Sequence, residues 1–207
     1  MSSTGPVASP ASQLSSLLGR FDRPMPPRDG ATAAALIPLD LLHGEPHVLL
    51  IERATRPGDP GSGQIALPGG HVDPADADLL ATAMRETEEE VGLRPEDLLT
   101  KPVFVTVREA RVFRVQVAVF AAVVRPGTSV TSSPRPEEVR STFWLPRSAL
   151  QPAERVERTT PSGPVTVDAT LYRGHVLWGF TRGVLLDFFG DPSGSPAVPP
   201  TSAAAER

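Results

Sequence analysis

A glycine pair, Gly69-Gly70, precedes the run Arg85-Glu-Thr-Glu-Glu-Glu-Val-Gly-Leu93, and this pairing limits the folds open to the chain. At about 100° of rotation per residue, a helix through the run gathers Glu86, Glu89 and Glu90 within an arc of roughly 100°. Leu80, Met84, Thr87 and Val91 fall on nearly the opposite side. The segment therefore has one face to bury against an apolar layer and one face crowded with carboxylates. Asp73-Pro74 offers an N-cap followed by proline at the first helical position, and Gly92 stands where a left-handed C-cap is wanted. These signals predict a helix over 74–91.

Like charges three and four residues apart destabilise a helix by a few tenths of a kcal/mol per pair. A solvated acidic face is one explanation of the cluster; a bound multivalent cation is the other. The defined helix and the neighbouring glycine turn favour the cation. Glycine lets main chain approach a ligand closely, so Gly69 and Gly70 can sit against a substrate and the Gly70 carbonyl can join the carboxylates. Mg²⁺ or Mn²⁺ suits oxygen donors of this kind.

Around this helix the pattern is one of strands. Runs over 32–42 and 47–52 read as a hairpin turning at His43-Gly44-Glu45-Pro46, followed by a short strand over 64–67. Segments 103–107 and 115–119 form a second hairpin of β-branched composition, and 139–145 is a further strand. Extended segments over 165–169 and 171–177 lead to an amphipathic helix over 180–189, and Leu14, Leu17 and Leu18 mark another short helix over 13–21. The sum is an α/β or α+β domain, a mixed sheet with helices packed on it. The expected organisation is an N-terminal extension over 1–30, partly disordered, then a domain over 31–190 and a disordered tail over 191–207.

Composition excludes several classes. In 207 residues with a formal charge of −4, nothing suggests nucleic acid or an anionic membrane as partner. The absence of cysteine removes disulfides, thiol nucleophiles and thiolate metal sites, and fits a cytoplasmic protein. No apolar run approaches the roughly 20 residues that span a bilayer, and the N-terminus lacks a signal-peptide layout. Four scattered histidines give no zinc spacing. Ser62 and Ser148 lack a nucleophile-elbow pattern.

With these residues in view, the chain resembles the Nudix hydrolases, whose signature is G-x5-E-x7-R-E-U-x-E-E-x-G-U with U aliphatic. Arg85 to Leu93 matches its second half, with Thr87 in place of an aliphatic residue. The first half departs: the interval from Gly70 to Arg85 is one residue longer, and Asp76 and Asp78 stand at or near the place of the glutamate. The longer spacing resembles the coenzyme A diphosphatase branch. So do Ser62-Gly-Gln-Ile-Ala-Leu-Pro-Gly-Gly70, Glu138-Val139 with Phe143-Trp-Leu-Pro146, and Tyr172-Arg-Gly-His-Val-Leu-Trp-Gly-Phe-Thr181.

The resemblance implies a mixed sheet sandwiched between helices and a metal-dependent diphosphatase. The expected substrate is coenzyme A or an acyl ester, giving 4′-phosphopantetheine and adenosine 3′,5′-bisphosphate. Another nucleoside diphosphate derivative, or a non-catalytic binding module of the same fold, are the alternatives. Expected metal ligands are Glu86, Glu89, Glu90 and the Gly70 carbonyl. Glu86 or Glu89 is the expected base, with Glu138 the alternative, and Arg85 is expected to orient a helix glutamate through a bidentate pair. Arg53, Arg56 and Arg108 are candidate phosphate clamps, Arg53 the best placed, with Gly69 and Gly70 at the substrate. His71 is either a phosphate contact or a surface residue, and His175 reads as a core histidine. A homodimer is an open expectation; the Leu14-Leu17-Leu18 segment serves either an interface or intramolecular packing.

Overall fold

The computed structural model describes residues 10–21, 23–111, 113–130, 136–151, 153–160 and 163–190. The ends expected to be disordered, before residue 10 and over 191–207, lie outside the described residues.

Strand β1 (Ala33–Leu42) organises the sheet. It pairs antiparallel with β2 (Glu45–Arg53), in register Leu39↔Val48, across a turn in which His43 (φ 53°) and Gly44 (φ 80°) are both left-handed. That turn has the twist that joins adjacent antiparallel strands without splaying them. Two short strands follow, β3 (Ile65–Ala66) on β2 and β4 (Gly69–His71) on the start of β1. After them come β5 (Val103–Ala110), β6 (Val115–Val123) and β7 (Val139–Pro146). The seven-stranded sheet runs β3-β2-β1-β6-β5, with β4 on β1 and β7 on β2. The β1–β6 pairing is parallel, so the sheet is mixed. A second, three-stranded sheet holds β8 (Glu154–Thr160), β9 (Gly163–Tyr172) and β10 (His175–Leu177).

Both faces of β1 are buried, which explains its continuous apolar run. Ala33, Ala35, Ile37 and Leu39 enter one core, while Ala34 and Leu36 enter the other. β6 divides the same way, with Val117, Val119, Ala121 and Val123 on one side and Ala118, Phe120 and Ala122 on the other. The first core takes in α1 (Pro10–Leu18) and α3 (Gly179–Phe189) through Leu14, Leu18, Val184, Leu185 and Phe188. The second takes in α2 (Leu79–Val91) through Leu79, Ala83 and Val91. Helices thus cover both faces, as the sequence led one to expect. Among the described residues no helix is long and apolar enough to cross a membrane.

Two expectations need correction. α2 begins at Leu79 and not at Pro74, because Asp78 takes the N-cap position and accepts the Ala81 N–H at 2.7 Å. Asp73-Pro74 belongs instead to a separate tight loop, in which the Asp73 N–H donates to Asp76 and the Ala75 N–H to Asp73. The second correction concerns the buried face of α2. It centres on Leu79, Thr82, Ala83, Thr87 and Val91 and includes Glu90, while Leu80 and Met84 lie at its half-buried margin. β8, which carries no apolar alternation, was not anticipated and forms through its ladder with β9.

Leu14 is 2 % exposed and Leu18 5 %, both inside the first core with Phe21, which stacks on Phe188 at 5.1 Å. The N-terminal leucines are therefore packed within the chain and offer no free interface. Leu14→Ala is expected to lower the free energy of unfolding by about 2–4 kcal/mol in urea titration. A loss below about 1 kcal/mol would mean that α1 does not dock.

Candidate metal and active site

The site forms where the end of β4 crosses α2. A side chain at Gly69 would run into the Ala34 carbonyl and Ala35, so the crossing strands require glycine here. A Cβ at Gly70 would lie within 2.6 Å of both Glu86 carboxylate oxygens. Glu86 thus lies directly against the main chain of Gly70, where sequence reasoning put it. Four residues on, Glu90 is 5 % exposed and accepts the Gly69 N–H at 2.9 Å.

Burial pushes the Glu90 carboxyl up to about 8, and the nearby charges of Glu86 and Glu138 add to the rise. The Gly69 N–H and Arg53 pull the other way and only partly offset it. Desolvation and like charges both disfavour a second anion here. A divalent cation reverses that balance.

Arg85 is the hub beneath these groups. Its Nε and Nη2 donate to the two oxygens of Asp76 at 2.9 and 3.0 Å, a bidentate pair. Nη1 donates singly to Glu86 at 2.8 Å and to Glu89 at 3.3 Å, and Nη2 also reaches the His71 carbonyl at 3.1 Å. The expected bidentate pair is real, but its partner is Asp76 and not a helix glutamate. Asp76 also accepts from the Thr82 hydroxyl at 2.8 Å and the Asp73 N–H at 2.9 Å. The Arg85 hydrogen bonds hold its carboxyl far below the usual carboxylate range, against the opposing effect of burial. Asp76 is thus an anchor for Arg85, and Asp78 is a helix cap.

A cleft of about 230 Å³ opens over this crossing, lined by Arg53, Ala54, Arg56, Asp59, Gly69, Gly70, His71, Glu86, Glu90 and Glu138. Seven residues singled out from sequence therefore meet: Arg53, Arg56, Gly69, Gly70, Glu86, Glu90 and Glu138, with His71 beside them. Glu89 is not in the lining, its carboxylate being turned to Arg85. Arg108 is elsewhere, bound to Asp187 at 2.5 Å on the far helix. His175 stacks on Phe143 at 4.0 Å and faces Glu52, away from the cleft residues.

Asp59 was not anticipated. It accepts from Arg53 Nη2 at 2.8 Å and from the Gly61 N–H at 2.8 Å. Burial raises its carboxyl, but those two bonds outweigh burial and leave it below the usual value. The only hint in the sequence is an aspartate within a Gly/Pro loop, which carries no chemistry of its own.

Among the described residues, no three His, Asp or Glu side chains already converge as a closed cage. The donor chemistry nonetheless fits a hard cation. A buried carboxylate with its pKa raised, a second carboxylate against a glycine and a third in the cleft lining are all oxygen donors.

Residues 31–163 match the NUDIX domain family model, and the chain belongs to that family. It is a pyrophosphohydrolase acting on a nucleoside diphosphate derivative, of a class that generally needs divalent metal ions. Among its relatives, NudL of Citrobacter koseri, an uncharacterized Nudix hydrolase, is 33 % identical over 183 residues, covering 83 % of this chain and 91 % of that one. The human mitochondrial coenzyme A diphosphatase NUDT8 is 35 % identical over 166 residues, covering 76 % and 67 %. A crystal structure of a MutT/nudix family protein from Enterococcus faecalis shares the fold, with a TM-score of 0.50 at 18 % identity over 88 % of this chain and 68 % of that one.

A carboxyl whose folded-state pKa lies above its unfolded value binds more protons when folded, so stability falls as pH rises between the two values. For Glu90 that window runs from 4.5 to about 8. Chelator-treated protein should lose stability across this range in denaturant titrations, and Glu90→Gln should flatten the loss. An unchanged pH profile in Glu90→Gln would show that the group is not strained by its burial.

Proposed function

We propose that the chain hydrolyses the diphosphate of coenzyme A or its acyl esters, using Mg²⁺ or Mn²⁺ held by Glu86, Glu89, Glu90 and the Gly70 carbonyl. The observation that carries this reading is the mixed charge of the cleft lining. Glu86, Glu90 and Glu138 share it with Arg53 and Arg56, and Arg56 pairs with Glu138 at 3.7 Å. A diphosphate needs both: cations for its oxygens, and carboxylates to hold metal and accept a proton.

When bound, the ion neutralises phosphate oxygens and lowers the pKa of the attacking water. The chain's own residues supply the rest. Arg53 lines the cleft, where its guanidinium is placed to meet phosphate oxygens. Asp59 fixes the same guanidinium through Nη2. Gly69 and Gly70 line the cleft and let the strand lie against Ala34 and the Glu86 carboxylate. Arg85 acts as a positioning residue, holding Glu86 and Glu89 on one side and Asp76 on the other.

Glu138 is our reading of the base. Glu86 and Glu89 both accept from Arg85, whereas Glu138, paired with Arg56 at 3.7 Å, lines the cleft from just before β7 and acts on Glu90 through space. Its carboxylate takes the proton of the water as the oxygen attacks one phosphorus. The bridging P–O bond breaks, and the bridging oxygen leaves with the other phosphate. Choice of coenzyme A rests on the sequence matches in the 62–70 and 172–181 segments and on likeness to the human coenzyme A diphosphatase.

A panel of coenzyme A, acyl-CoA, ADP-ribose, a dinucleotide and a nucleoside triphosphate, assayed with Mg²⁺ or Mn²⁺ and analysed by product, tests the substrate. Adenosine 3′,5′-bisphosphate and a phosphopantetheine product at the highest kcat/KM are expected; preference for a compound without pantetheine overturns the assignment. Glu138→Gln should lower kcat by about 10²–10⁴ with little change in the metal requirement. Glu89→Gln should instead raise the metal concentration needed for half-maximal rate, and an unaltered requirement would remove Glu89 from the ligand set.

A further inference from the structure

The smaller sheet ends in a strand whose charges the cleft does not use. β8 is the terminal strand of the order β10-β9-β8, so one edge is bonded to β9 and the other is the boundary of the sheet. Its side chains are exposed at Glu154, Arg155, Glu157 and Thr159 and half-buried at Val156, Arg158 and Thr160. Among the described residues no strand adds to that edge, and an open edge of this kind is a template for another strand.

The main-chain register of β8 restricts what can add to it. Pro164, which has no N–H to give, stands opposite Thr159. Thr159 and Pro164 are therefore a pair without mutual hydrogen bonds, and alternation along the ladder turns the N–H and C=O groups of Arg155, Glu157 and Thr159 outward. The sequence then supplies the partner. From Glu154 to Arg158 the charges run minus, plus, apolar, minus, plus; read backwards they are the complement of themselves.

We propose that β8 pairs antiparallel with β8 of a second copy of this chain, about a two-fold axis at Val156, so that the two small sheets become one. Glu154 then faces Arg158 of the partner, Arg155 faces Glu157, and Val156 meets its own counterpart. Cross-strand pairs of opposite charge are favourable and like charges directly opposite are not. The outward main-chain groups of Arg155 and Glu157 also meet one another, completing the ladder. Neighbouring registers are penalised. A slip in one direction sets Glu157 on Glu157, a slip in the other sets Arg155 on Arg155, and parallel pairing sets every charge on its like. Such an interface is isologous and closes as a dimer. It is independent of the cleft and of the substrate assigned to it.

The test is sedimentation equilibrium of the full chain, with hydrolysis of its substrate measured alongside. The wild-type chain should show a concentration-dependent dimer. Arg155→Glu and Glu157→Lys each place like charges opposite one another twice by symmetry, and each should weaken the dimer by about tenfold or more. Mixed in equal amounts, these two variants regain complementary pairs and should associate with each other; the double variant carrying both changes should dimerise as the wild type does. Turnover per chain should be retained in all of them, which reports on folding. A wild-type chain that stays monomeric overturns the proposal. So does a mixture of the two variants that fails to associate, or single variants that dimerise like the wild type.

Discussion

The bidentate pair between Arg85 and Asp76 is the interaction on which the arrangement of the site rests. One guanidinium ties the loop after β4, through Asp76 and the His71 carbonyl, to the helix glutamates Glu86 and Glu89. Asp76 is itself buried and is secured by Thr82 and by the Asp73 N–H. An arginine stays protonated throughout any accessible pH range, so the clamp does not release when nearby carboxylates titrate. Its geometry fixes the approach of Gly69-Gly70 to α2. Without it, Glu86 and Glu89, within about one turn of each other on α2, would lack their shared cation.

Glu90 is a different kind of constraint. A carboxylate at the bottom of a helix–strand crossing is costly when ionised, and a single N–H from Gly69 does not offset the burial. Its surroundings suit added positive charge, of which Arg53 and Arg56 supply part in the cleft lining. The two arginines suit the substrate class, since a diphosphate needs cationic groups for its oxygens. Stability and binding are thus in tension at this position, and a ligand resolves the tension.

Much of this was legible in the sequence because the signals were local. The glycine C-cap at Gly92, the His43-Gly44 turn, and the acidic stripe of α2 each depend on a few adjacent residues. What was not legible depended on partners far away. Asp73-Pro74 is as good a helix start as Asp78 by composition, and only the use of Asp76 to hold Arg85 decides between them. Nothing in Glu154 to Thr160 reads as strand by periodicity, since its order comes from the ladder to β9. Asp59 acquires its role from Arg53 across a loop. Glu90 was grouped with its neighbours by helical angle, and its burial followed from how α2 is rotated on the sheet, which no spacing rule conveys.

The parallel pairing of β1 with β6 carries a kinetic consequence. These strands sit side by side at the middle of the sheet but are separated in the chain by β2, β3, β4, α2 and β5. Zipping them together closes a long loop, and such distant contacts are slow to form because the entropy is lost before the contacts reward it. Helix α2 lies inside that loop. During synthesis the glutamates therefore emerge well before the strand that completes the floor beneath them, and a nascent chain halted ahead of Val115 would hold the acidic residues without the scaffold that aims them.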